Sequence, residues 1–523
     1  MVAYKRANVA NEWDAIVIGS GIGGLAPASL LARDGKRVLL LEQHLALGGC
    51  TQVFRRAGYE WDAGLHYMGE VHRPTSVLRR LFDAVSGNAL DWAPMPDVYN
   101  RIVIGERGYD YPSGAAAFAA RMKDYFPAEA DAVDRYVDLV MAANKAAGGF
   151  AMSRALPPGQ QADALAAGFA PFASRTVLDV LNELTDDPEL IAVLCGHYGD
   201  YCMTPDKASF GMHAMLIRHY IDGASFPVGG SGRIADTAVA VIEAADGAAL
   251  TGARVAEVLT EGSRAVGVRM ADGRAFHAPV VISDAGAETT FGTLLGDRED
   301  TVELRTICDA ADPSQCWLVM NIGLTASAAE LALDGANLWV HASNDLVGNY
   351  ARYVADPAGA PLPLHFLSYP SSKDPTWDAR YPGRATIDLC SLTHWSVWER
   401  FAETDWKHRG AEYDALKAAM TEQMLDVIRR FHPQAMPHLD HVELATPLTF
   451  NHYLNRRRGD FMSMAHTPAK FGENAMGAHT PVAGLYLSGT DAASAGVSGA
   501  LMGGVAAASA ALGRNLLAEM RTR

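Results

Sequence analysis

The sequence predicts an α/β fold whose sheet is assembled from three separated stretches of chain. The first sign is an apolar run, Ala15 to Ile18, followed at once by Gly19-x-Gly21-x-x-Gly24 and an Ala/Leu-rich helical stretch. The second is a new helix and strand series that starts near Phe226, where an amphipathic helix leads through Asp246-Gly247 into a strand. The third is a short apolar strand in GLYLSGTD from Gly484, followed by AGVSGALMGG and a long Ala-rich helix.

In the first stretch, Gly19 permits a tight turn, Gly21 lets backbone approach a pyrophosphate, and Gly24 lets helix and strand pack closely. Phosphate then meets free amides at a helix N-terminus, where the dipole favours negative charge. A second strand, Arg37 to Leu41, ends at Glu42, near the expected distance for a carboxylate that accepts ribose hydroxyls. Pro27 falls in the second helical turn and predicts a local kink, because it has no amide proton to donate. In the middle stretch Ala253 to Leu259, the hairpin-like EGSRAVGVRMADGRAF and the run Pro279 to Asp284 read as further strands. The resulting ranges for a dinucleotide domain are 1–70, 226–290 and 470–523. Between them, 115–225 alternates helical patterns with Gly/Pro breaks and reads as a helical lid. Residues 290–470 are richer in aromatics, carry strand patterns around Cys316 to Leu324 and Thr386 to Cys390, and read as an α+β substrate domain.

Composition sets limits on partners. The chain has 523 residues, 44 basic against 60 acidic, and a net charge of −16. That acidity argues against nucleic acid or an anionic membrane as a purely electrostatic partner. The run Asn455-Arg456-Arg457-Arg458 is the sharpest local exception and reads as a solvated loop or a headgroup or phosphate site, with the loop preferred. Six scattered cysteines show no CxxC pair and no metal-ligand spacing, so no metal is expected and the thiols read as reduced. No secretory signal and no spanning segment is visible, so a cytoplasmic enzyme is expected, either soluble or peripheral on the inner face of the membrane.

Four blocks carry a family resemblance over nearly the whole chain: Leu41 to Gly69, KASFGMHAMLIRHYIDGASFPVGGSGRI from Lys207, HFLSYPSSKDPTWDARYPGRAT from His365, and the terminal GLYLSGTD with AGVSGALMGG. They resemble the retinol saturase branch of the phytoene desaturase and carotenoid isomerase family. The resemblance implies a Rossmann-like FAD-binding domain of the amine oxidase and phytoene desaturase type, built from discontinuous segments. It also implies non-covalent FAD and a reaction on a carbon–carbon bond of a hydrophobic lipid: a retinoid, a carotenoid or a long fatty-acyl chain. Carried over residue by residue, the FAD contacts fall on Gly19, Ser20, Gly21, Ile22, Gly23 and Gly24 at the pyrophosphate, and on Glu42 and Gln43 at the ribose. Gly48, Gly49 and Cys50 form a second small-residue cluster. Val255 stands at the adenine, Gly489 and Asp491 near the ribityl or pyrophosphate, and Val497 and Ser498 open a helix facing the flavin. Cys50 has two readings, a redox or covalent role and a small buried residue beside phosphate, and the second is preferred.

Saturation or desaturation moves a hydride at flavin N5 and a proton. The proton candidates are His66 and Tyr67, and then His213 and Tyr220, which share a helical face with Phe210 and Ile217. That face suits either a greasy tunnel with a polar handle or ordinary core. His197 and Tyr198 are weaker candidates. The stretch Phe150 to Phe172, with Pro157 and Pro158, reads either as a bilayer-dipping channel or as a packed lid. No second dinucleotide fingerprint appears, so NAD(P)H is expected only as a transient electron donor, and the electron partner stays open. Three alternatives remain: redox-neutral cis–trans isomerisation with reduced FAD, a flavin amine oxidase, and a non-catalytic lipid carrier.

Overall fold

The run Ala15–Ile18 is a strand buried on both faces, the environment of a parallel strand covered by helices. In the computed structural model, which describes residues 2–154, 167–456, 458–472 and 475–522, it lies inside a six-stranded sheet. The strand order is Val2–Ala3, Ala248–Thr251, Val38–Leu41, Ala15–Ile18, Val281–Ser283 and Leu485–Leu487, and every pairing is parallel. In register, Val17 sits between Leu40 and Ile282. Strands from three distant parts of the chain therefore share one sheet, and their carboxyl ends meet the glycine turn.

Helix Ile22–Arg33 leaves that turn directly, with Gly21 at its N-cap. A side chain on Gly24 would collide with the Gly19 carbonyl, so only glycine lets this helix lie against the strand it follows. The helix passes through Pro27 as one element to Arg33. Across it runs the C-terminal helix Gly496–Leu512, and a Cβ on Gly504 would stand 2.8 Å from Pro27 Cδ and 2.9 Å from the Gly23 carbonyl. Filling that crossing would force the helices apart, a change of about 1–3 kcal/mol for overpacked cores. The glycine-rich middle stretch forms the antiparallel ribbon Val255–Glu261, Arg264–Met270 and Ala275–His277.

A second, seven-stranded sheet carries the other half of the molecule. Its order is Leu439–Ala445, Cys316–Leu324, Ala385–Thr393, Leu364–Ser368, Asn337–His341, Val98–Ile104 and Arg107–Pro112. The last two strands come from a part of the chain to which the sequence reading gave no role. They pair as a hairpin around Gly105, whose φ of +59° suits glycine, and join the sheet through a parallel pairing with Asn337–His341. Helices Ala130–Arg154 and Phe210–Tyr220 pack over this region in one apolar core with Tyr136, Tyr198, Tyr201 and Trp339. Pro157 and Pro158 lie outside the described residues, as does most of the stretch between Phe150 and Phe172 that reads either as a bilayer-dipping channel or as a packed lid. Among the described residues no helix is long and apolar enough to cross a membrane.

Candidate functional site

One cavity of about 1220 Å³ opens between these layers. That exceeds the range of roughly 300–1,000 Å³ usual for a single small ligand. Its wall joins the glycine turn, the acid Glu42, the start of helix Gly496–Leu512 and the helix Ala130–Arg154. This last helix presents Asn144, Ala147, Gly148 and Ala151, which share one helical face and leave room because three of them are small.

Around the turn the geometry is tight. Glu42 Oε2 accepts from the Ser20 amide at 2.8 Å and the Ser20 hydroxyl at 2.7 Å, while Oε1 accepts from the His44 amide at 2.8 Å. Each carboxylate oxygen has more than one lone pair, so the acid retains capacity toward hydroxyls in the cavity. The Gly48 amide donates to Ser20 Oγ at 3.1 Å, and a Cβ on Gly49 would lie 2.9 Å from Gly21 Cα. Small residues thus bring two loops together. The carboxyl of Asp284, which follows strand Val281–Ser283, lies over the same turn: a Cβ on Gly21 would stand 2.6 Å from its Oδ2. Burial pushes this carboxyl up to about 7, against the pull of Arg456, with Glu42 and Asp491 adding to the rise.

Most of the predicted cofactor residues line the cavity: Gly19, Ser20, Gly21, Ile22, Gly23, Glu42, Gln43, Gly49, Cys50, Val255, Val497 and Ser498. Four do not, and each has a packing reason. Gly24 and Gly489 are where backbones cross, since a side chain on either would strike the Gly19 carbonyl or Asp284. Gly48 holds a left-handed turn with φ of +114°. Asp491 turns away, with Oδ2 accepting from the Ala287 amide at 2.8 Å. The Cys50 thiol is pushed up to about 11 by burial, so it stays protonated. Arg456 corrects the reading of its run as a solvated loop. It lines the cavity beside the acids Asp460, Asp491 and Asp284, of which the first two are buried.

Of the proton candidates, His66, Tyr67 and Tyr220 line the cavity and His213 does not. His213 is fully buried, shares a 2.8 Å hydrogen bond with Tyr136 and a 3.4 Å one with Tyr201, and is held neutral because burial lowers it to about 3. His197 is likewise buried, bonded to Asn100 at 2.8 Å, and lowered to about 3. Tyr67 and Tyr220 stack face to face, their rings 4.1 Å apart and 11° from parallel. Behind His66 lies a polar network absent from the sequence reading. His66 Nδ1 is 3.4 Å from Asp388 Oδ2, Asn321 donates to Asp388 at 2.9 Å, and the buried Lys373 donates to the His66 carbonyl at 3.0 Å, to Ser368 and to Asn337. Burial brings Lys373 down to about 7, opposed by Asp388 and Asp62. Burial also raises Asp62 to about 7. Asp200 is a further residue that the sequence left unmarked. It lines the cavity and accepts a 2.6 Å hydrogen bond from the Tyr67 hydroxyl. Among the described residues no cluster of His, Cys, Asp or Glu is arranged to hold a metal ion.

The glycine turn sits in a stretch, residues 17–85, that matches the NAD(P)-binding Rossmann-like domain. Cyclohexylamine oxidase from Brevibacterium oxydans shares the fold across 98% of this chain and 99% of its own, with a TM-score of 0.59 at 17% identity. Fold and site together define a protein with a Rossmann-like dinucleotide domain opening onto a large cavity. Among relatives, all-trans-retinol 13,14-reductase of Danio rerio is 34% identical over 540 residues, covering 99% of this chain and 88% of that one. Prolycopene isomerase 2, chloroplastic, of an Oncidium hybrid cultivar is 26% identical over 516 residues, covering 92% and 81%. The chain belongs to the retinol saturase branch of the phytoene desaturase and carotenoid isomerase family, whose oxidoreductases act on carbon–carbon double bonds.

Proposed function

We propose that this chain binds FAD non-covalently in the cavity and saturates a carbon–carbon double bond of a retinoid or a related polyene lipid. The observation that carries this reading is the continuity of the cavity wall. A dinucleotide cradle, an apolar lid face and a tyrosine–acid pair all border one volume.

The residues fit the cofactor. Gly21 and Gly23 leave space for a pyrophosphate where a side chain would meet Asp284, Arg456 supplies nearby positive charge, and Glu42 retains acceptors for ribose hydroxyls. Val255 borders the same space for adenine. Ala495, Val497 and Ser498 bring the N-terminus of a 17-residue helix to the wall, where unpaired amides favour negative charge on a bound group. Reduced FAD, when bound, supplies a hydride from N5. The chain's own residues do the remaining work. Ala147, Gly148, Ala151, Met212, Met215 and Leu216 accept an apolar substrate, and Tyr67, with His66 beside it in the wall, brings the proton. In this reading 1–70, 226–290 and 470–523 form the cofactor domain, 290–470 the substrate domain and 115–225 the lid. The relatives named for retinol reduction support saturation over desaturation. A relative named for prolycopene isomerisation supports redox-neutral isomerisation as a second reading.

Two measurements test the proposal. Heat-released flavin should be FAD, close to one per chain; a colourless protein that takes up no FAD would refute the cofactor. Anaerobically reduced protein should regain its oxidised-flavin band when all-trans-retinol is added. A rearranged polyene without recovery of that band would favour the isomerase, and bound lipid with no change in either would favour a carrier.

A further inference from the structure

Asp200 belongs to a single-turn helix, Tyr198–Tyr201, whose other residues are buried. Gly199 packs so closely that a Cβ there would lie 2.8 Å from both Trp317 and Trp339 and 2.9 Å from Leu364. Tyr198 and Tyr201 are fully buried in the same core. The turn is thus clamped on three sides, and Asp200 is the member of it that reaches the cavity wall.

An acid in that position normally has a cation beside it, because an ionised carboxylate removed from water is expensive. Asp200 has no ion pair among the described residues. It accepts a 2.6 Å hydrogen bond from the Tyr67 hydroxyl, and burial pushes its carboxyl up to about 7. The groups that feel its charge are Tyr67, Tyr220, Tyr99, Tyr201, Cys202 and Cys390. All six are shifted upward by burial and remain neutral across the range in which Asp200 titrates. Tyr67 is therefore a poor proton store, but it is a well-oriented carrier, held by its stack on Tyr220.

We propose that Asp200 is the acid of the reaction, and that its carboxyl proton reaches the substrate through the Tyr67 hydroxyl. This rests on the saturase reading. One carbon of the double bond takes a hydride, with both electrons, from reduced FAD, and the π bond breaks. When Asp200 is protonated its carboxyl donates to the Tyr67 oxygen and the tyrosine's own proton turns to the cavity; the adjacent carbon takes that proton as the Asp200 proton moves onto the tyrosine oxygen. The balance is one saturated bond, oxidised FAD and an Asp200 carboxylate, which regains its proton from water before the next cycle.

The test is a single turnover of FAD-loaded, chemically reduced protein mixed anaerobically with all-trans-retinol from pH 5.5 to 9, followed by return of the oxidised-flavin band. The wild-type rate is expected to be level below about pH 7 and to fall about tenfold per unit above it, as the acid form is lost. Asp200→Asn should be about 10²-fold slower or worse, flat with pH and fully loaded with FAD, while Asp200→Glu restores the slope. Lys373 and Asp62 titrate in the same window and are intact in Asp200→Asn, so a slope surviving in that variant would overturn the assignment. A wild-type rate in Asp200→Asn would overturn it too. Should that variant fail to retain FAD, Tyr67→Phe keeps the carboxyl and cuts the relay. A comparable loss supports the assignment, and an unchanged rate overturns it. Wild-type protein that holds FAD yet turns over no retinoid at any pH sinks the saturase reading itself.

Discussion

Replacing Asp284 with Asn is expected to remove a pH dependence from FAD binding. The Asp284 carboxyl lies over the glycine turn and titrates at about 7 in the free protein, raised by burial. A pyrophosphate placed on that turn brings negative charge to within about 4 Å, where like charges repel by about 4 kcal/mol at an effective dielectric near 20. Keeping the carboxyl protonated avoids the repulsion and costs about 1.4 kcal/mol for each pH unit above its pKa. The complex therefore holds a proton that the free protein loses above about pH 7, and affinity falls as pH rises. The dissociation constant should climb about tenfold per unit from pH 7 to 9, and level off only when the loss nears a thousandfold, the equivalent of the full repulsion. Titrating FAD-stripped protein with FAD at pH 6, 7, 8 and 9, followed by quenching of flavin fluorescence, measures this directly. Asp284→Asn keeps the shape, cannot ionise and should bind equally at all four. A wild-type protein without the slope, or an Asn variant that keeps it, would refute the reasoning.

Three further substitutions separate binding, chemistry and stability. Gly21→Val puts a side chain 2.6 Å from Asp284 Oδ2 and should abolish FAD retention in a protein that still folds by circular dichroism; a wild-type ratio of flavin to protein would refute this placement of the pyrophosphate. His66→Ala should slow turnover less than Asp200→Asn does, with FAD still bound, and an unchanged rate would take His66 out of the site. His213→Leu strands the buried Tyr136 hydroxyl, so chemical denaturation should show a loss of about 1–3 kcal/mol while turnover per bound flavin is unchanged. Lost turnover at unaltered stability would return His213 to the site.

What the sequence could reveal was whatever depends on near neighbours. The glycine turn, its flanking strands and Glu42 are local in the chain, so spacing alone located them. The hairpin Val98–Pro112 has a readable turn at Gly105, yet its partner Asn337–His341 is far away in the chain, and no local pattern joins them. His213 and Tyr220 do share a helical face, as the periodicity implied, but they stand two turns apart, about 10.5 Å along the axis. That distance gives one of them Tyr136 and Tyr201 as neighbours and the other Tyr67 and the cavity. Asp200 and Lys373 were illegible, and Arg456 ranked as solvated before phosphate-binding, for a common reason. A charged residue reads as solvated until packing surrounds it, and only the fold brings Asp284, Tyr67 or Asn337 alongside.

Asp284 and Asp200 both titrate near pH 7, so a single pH profile would confuse them, but they act on different steps. Asp284 opposes only the entry of FAD, and its influence on rate disappears once FAD is saturating. Asp200 acts within the loaded complex, and no excess of FAD restores its proton. At saturating FAD the rate should therefore fall with one power of proton concentration above pH 7, and at limiting FAD with two. Asp284→Asn should remove one power at limiting FAD and none at saturation. Asp200→Asn should remove one under both conditions. If the two carboxyls are independent the double variant loses both slopes additively, and any shortfall would measure a coupling between cofactor binding and proton delivery.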